Sequence, residues 1–305
     1  MQAIMLKQFG SVDQLEQSEV PTPELKPKQV LVQNHAVALD PYDVKFVAGQ
    51  MGKADKLPLI PGSSVVGTVV AVGNKVTDFK PGDRVAANRH HQTYAEFVPV
   101  GQSALARVPD TLDDATAVAA VLGATTGYQA VTQDLNVQAG EKVFIQGGTG
   151  SVGLTAVQAA LNRGAKVYAS ASSAHFAFLK QFGDVHPIDY HDAYELNLHD
   201  FDAVLDPFGG QSALKSAQIL KVGARLRNLS DDPNLEQLSK QYQIDAQSMY
   251  LAGKGPLLAD LLQQVVNGKI TLPIAKKQAF TLENLRNAHE KLRHASPLGK
   301  IILTF

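Results

Sequence analysis

A chain of 305 residues, 45% hydrophobic and 19% charged, is long enough for about two folded domains and too apolar to be disordered. Its formal net charge of −1 offers no basic field to recruit nucleic acid or an anionic membrane, so neither is an expected partner. The absence of cysteine excludes disulfides, thiol nucleophiles and thiolate metal sites, and suits a cytoplasmic setting.

The first residues, Met1 to Lys7, lack a charged leader followed by a long apolar core, so no signal peptide is expected. From there to about residue 110 the chain reads as β-rich. Val30–His35 and Ser64–Val72 carry the β-branched density of strands, and Pro61-Gly62, Gly73-Asn74 and Pro81-Gly82-Asp83 mark turns between them. Pro21, Pro23 and Pro27 predict an extended early connection, and the spacing as a whole predicts a compact barrel-like sheet. Near Asp110 the composition changes. Thr111 reads as the N-cap of a helix with Asp114 at its third position, and a second helix is expected from Thr126 to Leu135. Two long uncharged runs, Ala115–Gln133 and Val143–Asn162, are interrupted by Gly, Thr and Gln and predict buried segments rather than membrane spans.

The next stretch carries the strongest signal. A buried-type strand, Val143 to Gln146, runs into Gly147-Gly148-Thr149-Gly150-Ser151-Val152-Gly153, and an apolar helical pattern follows to Asn162. Gly148-x-Gly150-x-x-Gly153 thus stands where a dinucleotide fingerprint must, between a strand and a helix. The glycines permit the tight turn, the approach of backbone to a pyrophosphate and close helix–strand packing, and the helix start favours the phosphate charge. A structural glycine turn is the alternative. Ala165–Ser170 then reads as a second parallel strand, which completes a βαβ unit and favours a nucleotide.

Domains that prefer NAD place an acid about 20 residues after the fingerprint to bind the ribose diol. Between Glu141 and Asp184 this chain has none. The strand ends in Ser170-Ala171-Ser172-Ser173, small hydroxyl residues that leave room for a 2′-phosphate, so NADP(H) is the expected cofactor. His175 is the nearest basic group, and the bland alternative is that these serines simply end a strand. Further on, Phe176–Phe182 reads as a helix, Val185–Asp189 as an edge strand because of Pro187, Phe201–Asp206 as a strand and Ser212–Leu220 as a helix. Strands over Ala224–Leu229 and Ile244–Tyr250 and a helix over Pro256–Val266 complete an α/β doubly wound parallel sheet. The tail, with a helix over Leu282–His294 and a strand over Gly299–Phe305, is expected to return to the first domain. The expected division is residues 1–110, completed by 272–305, and residues 111–271.

Leu57–Gly67, Val72–Val85, Tyr94–Phe97, Gly127–Ala130, Val204–Gly210 and Leu298–Ile302 are each ordinary, but their order and spacing together are specific. In this order they resemble the medium-chain dehydrogenase/reductase superfamily, in particular its zinc-free quinone oxidoreductase branch, and the resemblance runs nearly end to end. It implies a GroES-like barrel beside a Rossmann domain, a homodimer or tetramer, and NADPH-linked reduction of quinones, enones or alkenals. It also implies site residues. Asp40-Pro41-Tyr42-Asp43-Val44-Lys45 matches a segment that lines the substrate site, with Lys45 the matching donor, Tyr42 a further donor and Asp40 in place of the usual Asn. A carboxylate donates only when protonated, and a plain surface loop is the alternative for all three. Gly147, Gly148, Thr149, Gly150, Ser151, Val152 and Gly153 match the phosphate loop, Thr126 a residue near the nicotinamide, and Ser172 and Tyr190 positions near the 2′-phosphate. Ser170 belongs to the same strand end, and Ala174 stands where a basic residue is common. Asp206, Phe208 and Gly209 follow a strand at its carboxyl end, where such sheets bind ligands, although Asp206 alternatively caps a turn. Loops Ala48–Leu57 and Gln247–Gly255 are expected to wall the substrate.

No metal is expected. Zinc-using relatives carry a Cys near Asp40 and Gly-His-Glu where this chain has Gly62-Ser63-Ser64, and His90-His91 lacks a third ligand in view. Without a Lewis acid to stabilise an alkoxide, hydride addition to a conjugated carbonyl or quinone is the easier chemistry, since the enolate needs hydrogen-bond donors alone. The rival expectations are a non-catalytic NADPH-binding regulator or structural protein, and an alcohol dehydrogenase, which requires metal.

Overall fold

The structure is a computed structural model that describes residues 1–51, 56–294 and 297–305. Residues 52–55, within the expected substrate wall Ala48–Leu57, therefore lie outside the described residues. The chain divides into two units. The first comprises Met1–Gly123, Gly253–Val266 and Leu272–Phe305, and the second Ala124–Ala252 with Asn267–Thr271.

The first unit begins with an antiparallel pair, β1 (Gln2–Leu6) and β2 (Leu15–Glu19). Its main sheet holds β3 (Gln29–Leu39), β4 (Ser64–Val72), β5 (Arg84–Asn88), β6 (Phe97–Gly101) and β7 (Leu105–Arg107). β3 is the organising strand. Along one side it pairs antiparallel with β4, and along the other it exchanges β6, opposite Gln29–Gln33, for the C-terminal strand opposite Ala36–Leu39. Its alternating and continuous apolar runs explain this: Val30, Val32, Val37, Ala38 and Leu39 are all buried, so both faces of the strand are covered. The short helix α1 (Pro41–Val47) follows β3 directly, with Pro41 at the first helical position where a missing N–H costs nothing. A second helix, α2 (Asp114–Ala119), is capped by Asp113, whose carboxylate accepts from the Thr116 N–H at 2.7 Å. The cap thus lies two residues beyond the expected Thr111, because Pro109–Leu112 closes its own turn with a 3.0 Å hydrogen bond.

The second unit opens with α3 (Thr125–Gln129), after a π-helical turn over Ala120–Ala124 and before another over Ala130–Asp134. Then come β8 (Lys142–Ile145), α4 (Ser151–Asn162), β9 (Lys166–Ala171), α5 (Phe176–Leu179), β10 (Val185–Asp189), β11 (Phe201–Asp206), α6 (Gln211–Gln218), β12 (Leu220–Asn228), α7 (Leu235–Tyr242) and β13 (Asp245–Ser248). All six strands are parallel in the order β10-β9-β8-β11-β12-β13, so the sheet reverses direction of growth between β8 and β11. That is the doubly wound arrangement, and β10 with its Pro187 is an edge as expected. Phe144, Phe201, Val204 and Leu226 form its core with Ala213, Ala217 and Leu238 from the covering helices.

The chain then returns. α8 (Gly255–Val266), expected to finish the parallel sheet, instead packs in the first unit against β7. A Cβ on Gly255 would stand 1.9 Å from the Leu105 carbonyl oxygen, which leaves room for glycine alone at this start of the helix. β14 (Ile274–Ala279), α9 (Leu282–His294) and β15 (Lys300–Thr304) complete that unit, with β15 joined antiparallel to β3 and parallel to β14. No described helix is long and apolar enough to cross a membrane.

Candidate cofactor site and buried acid cluster

The fingerprint loop sits at the carboxyl end of β8, at the point where strand order reverses. Gly147 takes φ +66°, a left-handed conformation that costs a side chain energy, and so turns the chain sharply off the strand. A Cβ on Gly153 would meet the Gly147 carbonyl oxygen at 2.2 Å, so the third fingerprint glycine is demanded by close packing of helix on turn. Gly150 is the N-cap of α4 and no side chain closes the helix start. The first-turn N–H groups at Ser151, Val152 and Gly153 are therefore presented with the positive end of the helix dipole, the arrangement that holds a pyrophosphate. Thr149 lies at the turn itself.

Ser170 supports this loop from beneath. Its hydroxyl donates to Gln146 Oε1 at 2.7 Å and accepts from the Gly147 N–H at 2.9 Å, while its carbonyl accepts from Gly148 N–H at 2.8 Å. With 2% exposure its side chain faces inward, so it positions the phosphate loop rather than reaching the cofactor. Ser172, half-buried, stands just past the end of β9, where a diol-binding acid would be. The neighbouring strand brings an acid that sequence spacing hides: Asp189, at the end of β10, opposite Ala171. Its Oδ2 accepts from the Ser173 N–H at 3.0 Å, and its Oδ1 from the His191 N–H at 3.0 Å and Nδ1 at 2.7 Å. Those hydrogen bonds, the His191 backbone N–H first, hold the Asp189 carboxyl well below the usual carboxylate range. Tyr190, 52% exposed, lies against the His191 ring with centroids 4.0 Å apart.

At the end of β11, Asp206 is fully buried and caps its own turn. It accepts from Phe208 N–H at 2.9 Å, Ser212 hydroxyl at 2.9 Å and more distantly from Gly209 N–H and Asn228 Nδ2. Burial pushes its carboxyl up from the ordinary value. Both carboxylate oxygens are thus engaged in the turn, as the alternative reading of Asp206 as a turn cap requires. Phe208, 62% exposed, extends beside Gly147, whose added Cβ would lie 2.9 Å from the ring. Gly209 takes φ +77° in that same turn. Thr126 is buried in α3, just after the first π-helical turn.

The first unit holds the segment expected to face substrate, and the three residues part company there. Lys45 is exposed on α1. Tyr42 is half-buried, its ring stacked on Phe46 at 6.3 Å and its hydroxyl 3.4 Å from His90 Nδ1, and burial, then Asp43, push its phenol up. Asp40 turns inward. It is 2% exposed and accepts from Lys300 Nζ, so it ties the start of α1 to the start of β15. Asp43, also buried, accepts from the Asp40 N–H at 2.9 Å. Burial first, and the Asp40 carboxylate second, push Asp43 up to about 7, so near neutrality this cluster of two acids and one lysine is close to electrically balanced. Nearby, Tyr94 hydroxyl lies 3.0 Å from His289 Nε2, and burial lowers the His289 imidazole to about 4, so the ring is neutral near pH 7.

Residues 26–141 match the family described as alcohol dehydrogenase GroES-like domain, and residues 182–303 the family described as zinc-binding dehydrogenase. Among similar proteins, quinone oxidoreductase of Rattus norvegicus is 28% identical, covering 99% of this chain and 97% of its own. The NADPH-dependent alkenal/one oxidoreductase of Arabidopsis thaliana is 28% identical over 99% of this chain and 79% of its own. The solved quinone oxidoreductase from Coxiella burnetii superimposes with a TM-score of 0.93 at 28% identity, covering 100% of this chain and 99% of that one. The chain thus carries a GroES-like and a zinc-binding dehydrogenase domain and has quinone oxidoreductases and enone reductases as homologues, consistent with the zinc-free quinone oxidoreductase branch of the medium-chain dehydrogenase/reductase superfamily.

One of the matched superfamily descriptions carries zinc in its name, yet the described residues place no group of three or more His, Cys, Asp or Glu where they could hold a metal. At the position read as a former ligand site, Asp40 has an ammonium group for a neighbour. His90 and His91 are drawn into an aromatic group with Tyr42 and Phe46, the Phe46–His91 centroids 4.5 Å apart. Two residues of these clusters escaped the sequence reading, Lys300 in the first unit and Asp189 in the second, because each meets its partner through strand pairing rather than through local spacing.

Proposed function

We propose that this protein is an NADPH-dependent reductase of quinones or conjugated enones and alkenals that works without zinc, as a soluble cytoplasmic homodimer. The glycine loop at the strand-order reversal, with an uncapped helix start above it, is the observation that carries the reading: it fits a pyrophosphate and leaves no space for a side chain at Gly153. Ser172 and the engaged Asp189 support the 2′-phosphorylated form: small hydroxyl residues end β9, and the Asp189 carboxylate already accepts from the Ser173 N–H and from His191. The named relatives point the same way. Bound NADPH would supply hydride to the substrate's electron-poor carbon. The chain's own part is to bind and to polarise. Gly147, Gly148, Thr149, Gly150, Ser151, Val152 and Gly153 would hold the phosphates, and Ser172 and Tyr190 the adenosine end. Thr126, Phe208 and Gly209 would line the remaining length. Lys45 and the Tyr42 hydroxyl are the donors for the developing enolate oxygen, and Asp40 positions their helix through Lys300.

The test is oxidation of NADPH, with NADH in parallel, against a quinone and a linear enone. Turnover with NADPH well above NADH supports the proposal. Tight NADPH binding with no turnover on either acceptor would replace it with a non-catalytic NADPH-binding protein.

A further inference from the structure

The strand ends of β9 and β10 carry a charge problem that the function above does not solve. A 2′-phosphate is a strong acceptor with a charge near −2, yet Ser172, Ser173 and Ala174 bring no positive charge, and Asp189 brings a negative one. The hydrogen bonds around Asp189 show how this chain meets the problem. Asp189 is ionised and accepts only, so the imidazole nitrogen 2.7 Å from its Oδ1, His191 Nδ1, carries the hydrogen. That fixes the ring. The opposite nitrogen, Nε2, points away from the carboxylate on a side chain that is 64% exposed, against the face of Tyr190. The same carboxylate holds the Ser173 N–H, so one anion sets both the serine segment and the imidazole.

We infer that His191 is the cationic residue that recognises the cofactor's 2′-phosphate, oriented by Asp189 and flanked by Ser172, Ser173 and Tyr190; this rests on the NADPH reading above. The protonation follows from the hydrogen-bond inventory. With Nδ1–H committed to Asp189, a neutral ring offers the phosphate a lone pair and is repelled, whereas an imidazolium offers Nε2–H and a charge. The 2′-phosphate is therefore met by Nε2–H of the ring that Asp189 orients, a contact that NADH has no group to make. The other titratable groups at these strand ends are Tyr190 and Asp192 beside it and His175 on the segment after β9. None of them shares the Asp189 anchor. Asp189 keeps the ring poised between itself and the phosphate, so the two anions are separated by the cation.

The test is direct binding of NADPH, NADH and adenosine 2′,5′-bisphosphate, measured by fluorescence or calorimetry between pH 6 and 8.5, with no turnover involved. His191→Ala is expected to weaken NADPH and the bisphosphate about tenfold at the acid end, the scale of one charge-assisted hydrogen bond, and to leave NADH unchanged. The phosphate's own ionisation near pH 6 affects both proteins alike, so the ratio of wild type to variant at each pH isolates the imidazole. His191→Lys should keep NADPH binding tight. Unchanged NADPH affinity in His191→Ala, with wild type still preferring NADPH, would overturn the inference alone. Equal loss of NADH would make His191 a structural residue. Equal affinity of wild type for NADPH and NADH would remove the 2′-phosphate reading itself and this inference with it.

Discussion

Lys300 and Asp40 are held out of water together, with side-chain exposures of 7% and 3%. Such a pair adds little net stability, because desolvation offsets attraction, but losing one partner strands a buried charge. Lys300→Met is expected to cost about 3–5 kcal/mol in urea unfolding, and adding Asp40→Leu should recover much of that loss. The same cluster sets a pH signature. Asp43 rises from an ordinary 3.8 to about 7, so between those values the folded protein keeps a proton that the unfolded chain has released, and stability falls as pH rises. His289 falls from an ordinary 6.5 to about 4, so in that interval the unfolded chain holds the extra proton and stability rises with pH. From about pH 4 to 6.5 the two oppose one another. Asp43→Asn should therefore expose a rising slope of up to about 1.4 kcal/mol per pH unit, and His289→Gln a falling one, in unfolding midpoints measured across pH 4.5–6.5. Matching slopes in both variants would show that neither group titrates in this way.

At the level of elements, what the sequence disclosed was what local spacing dictates. The strand–glycine–helix unit at Val143–Asn162 could be read because turn, cap and phosphate cradle all come from adjacent residues. The cap of α2 could not be placed, since Thr111 and Asp113 are both acceptable caps and the choice depends on the turn that Pro109 closes. Asp113→Ala should cost about 1 kcal/mol and Thr111→Ala almost nothing, a contrast that thermal melts of the two variants would reveal. Reversal of that order would mean the helix starts where the sequence first suggested. Contacts between distant segments were less legible. Asp40 reads as a substrate-site residue because its segment matches one that lines that site, and nothing local shows its partner; its lysine lies 260 residues away and arrives with β15. Asp189 likewise reaches Ser173 because β9 and β10 lie side by side, although the spacing from the fingerprint suggested no acid there at all. The assignment of Gly255–Val266 to the parallel sheet failed for a related reason, since an apolar helical stripe does not say which core it covers.

For the whole molecule, the order of short motifs was informative where each alone was ordinary, and the matched domains and homologues are consistent with the superfamily that it suggested. An intact protein built this way should keep its turnover in the presence of a strong chelator. Asp40 already faces an ammonium group, and there is no cysteine to bind zinc; loss of activity that added zinc restores would return the alcohol dehydrogenase alternative. The position of β15 has a further consequence, for synthesis rather than catalysis. The parallel sheet β8–β13 is drawn from one uninterrupted stretch and has all its strands once Ser248 has been made. The sheet around β3 must wait, with the apolar edge at Ala36–Leu39 unpaired and Asp40 without its lysine, until Lys300–Thr304 leaves the ribosome. A segment made before the parallel sheet is thus finished after it, and during that interval its unpaired edge is open to a chaperone.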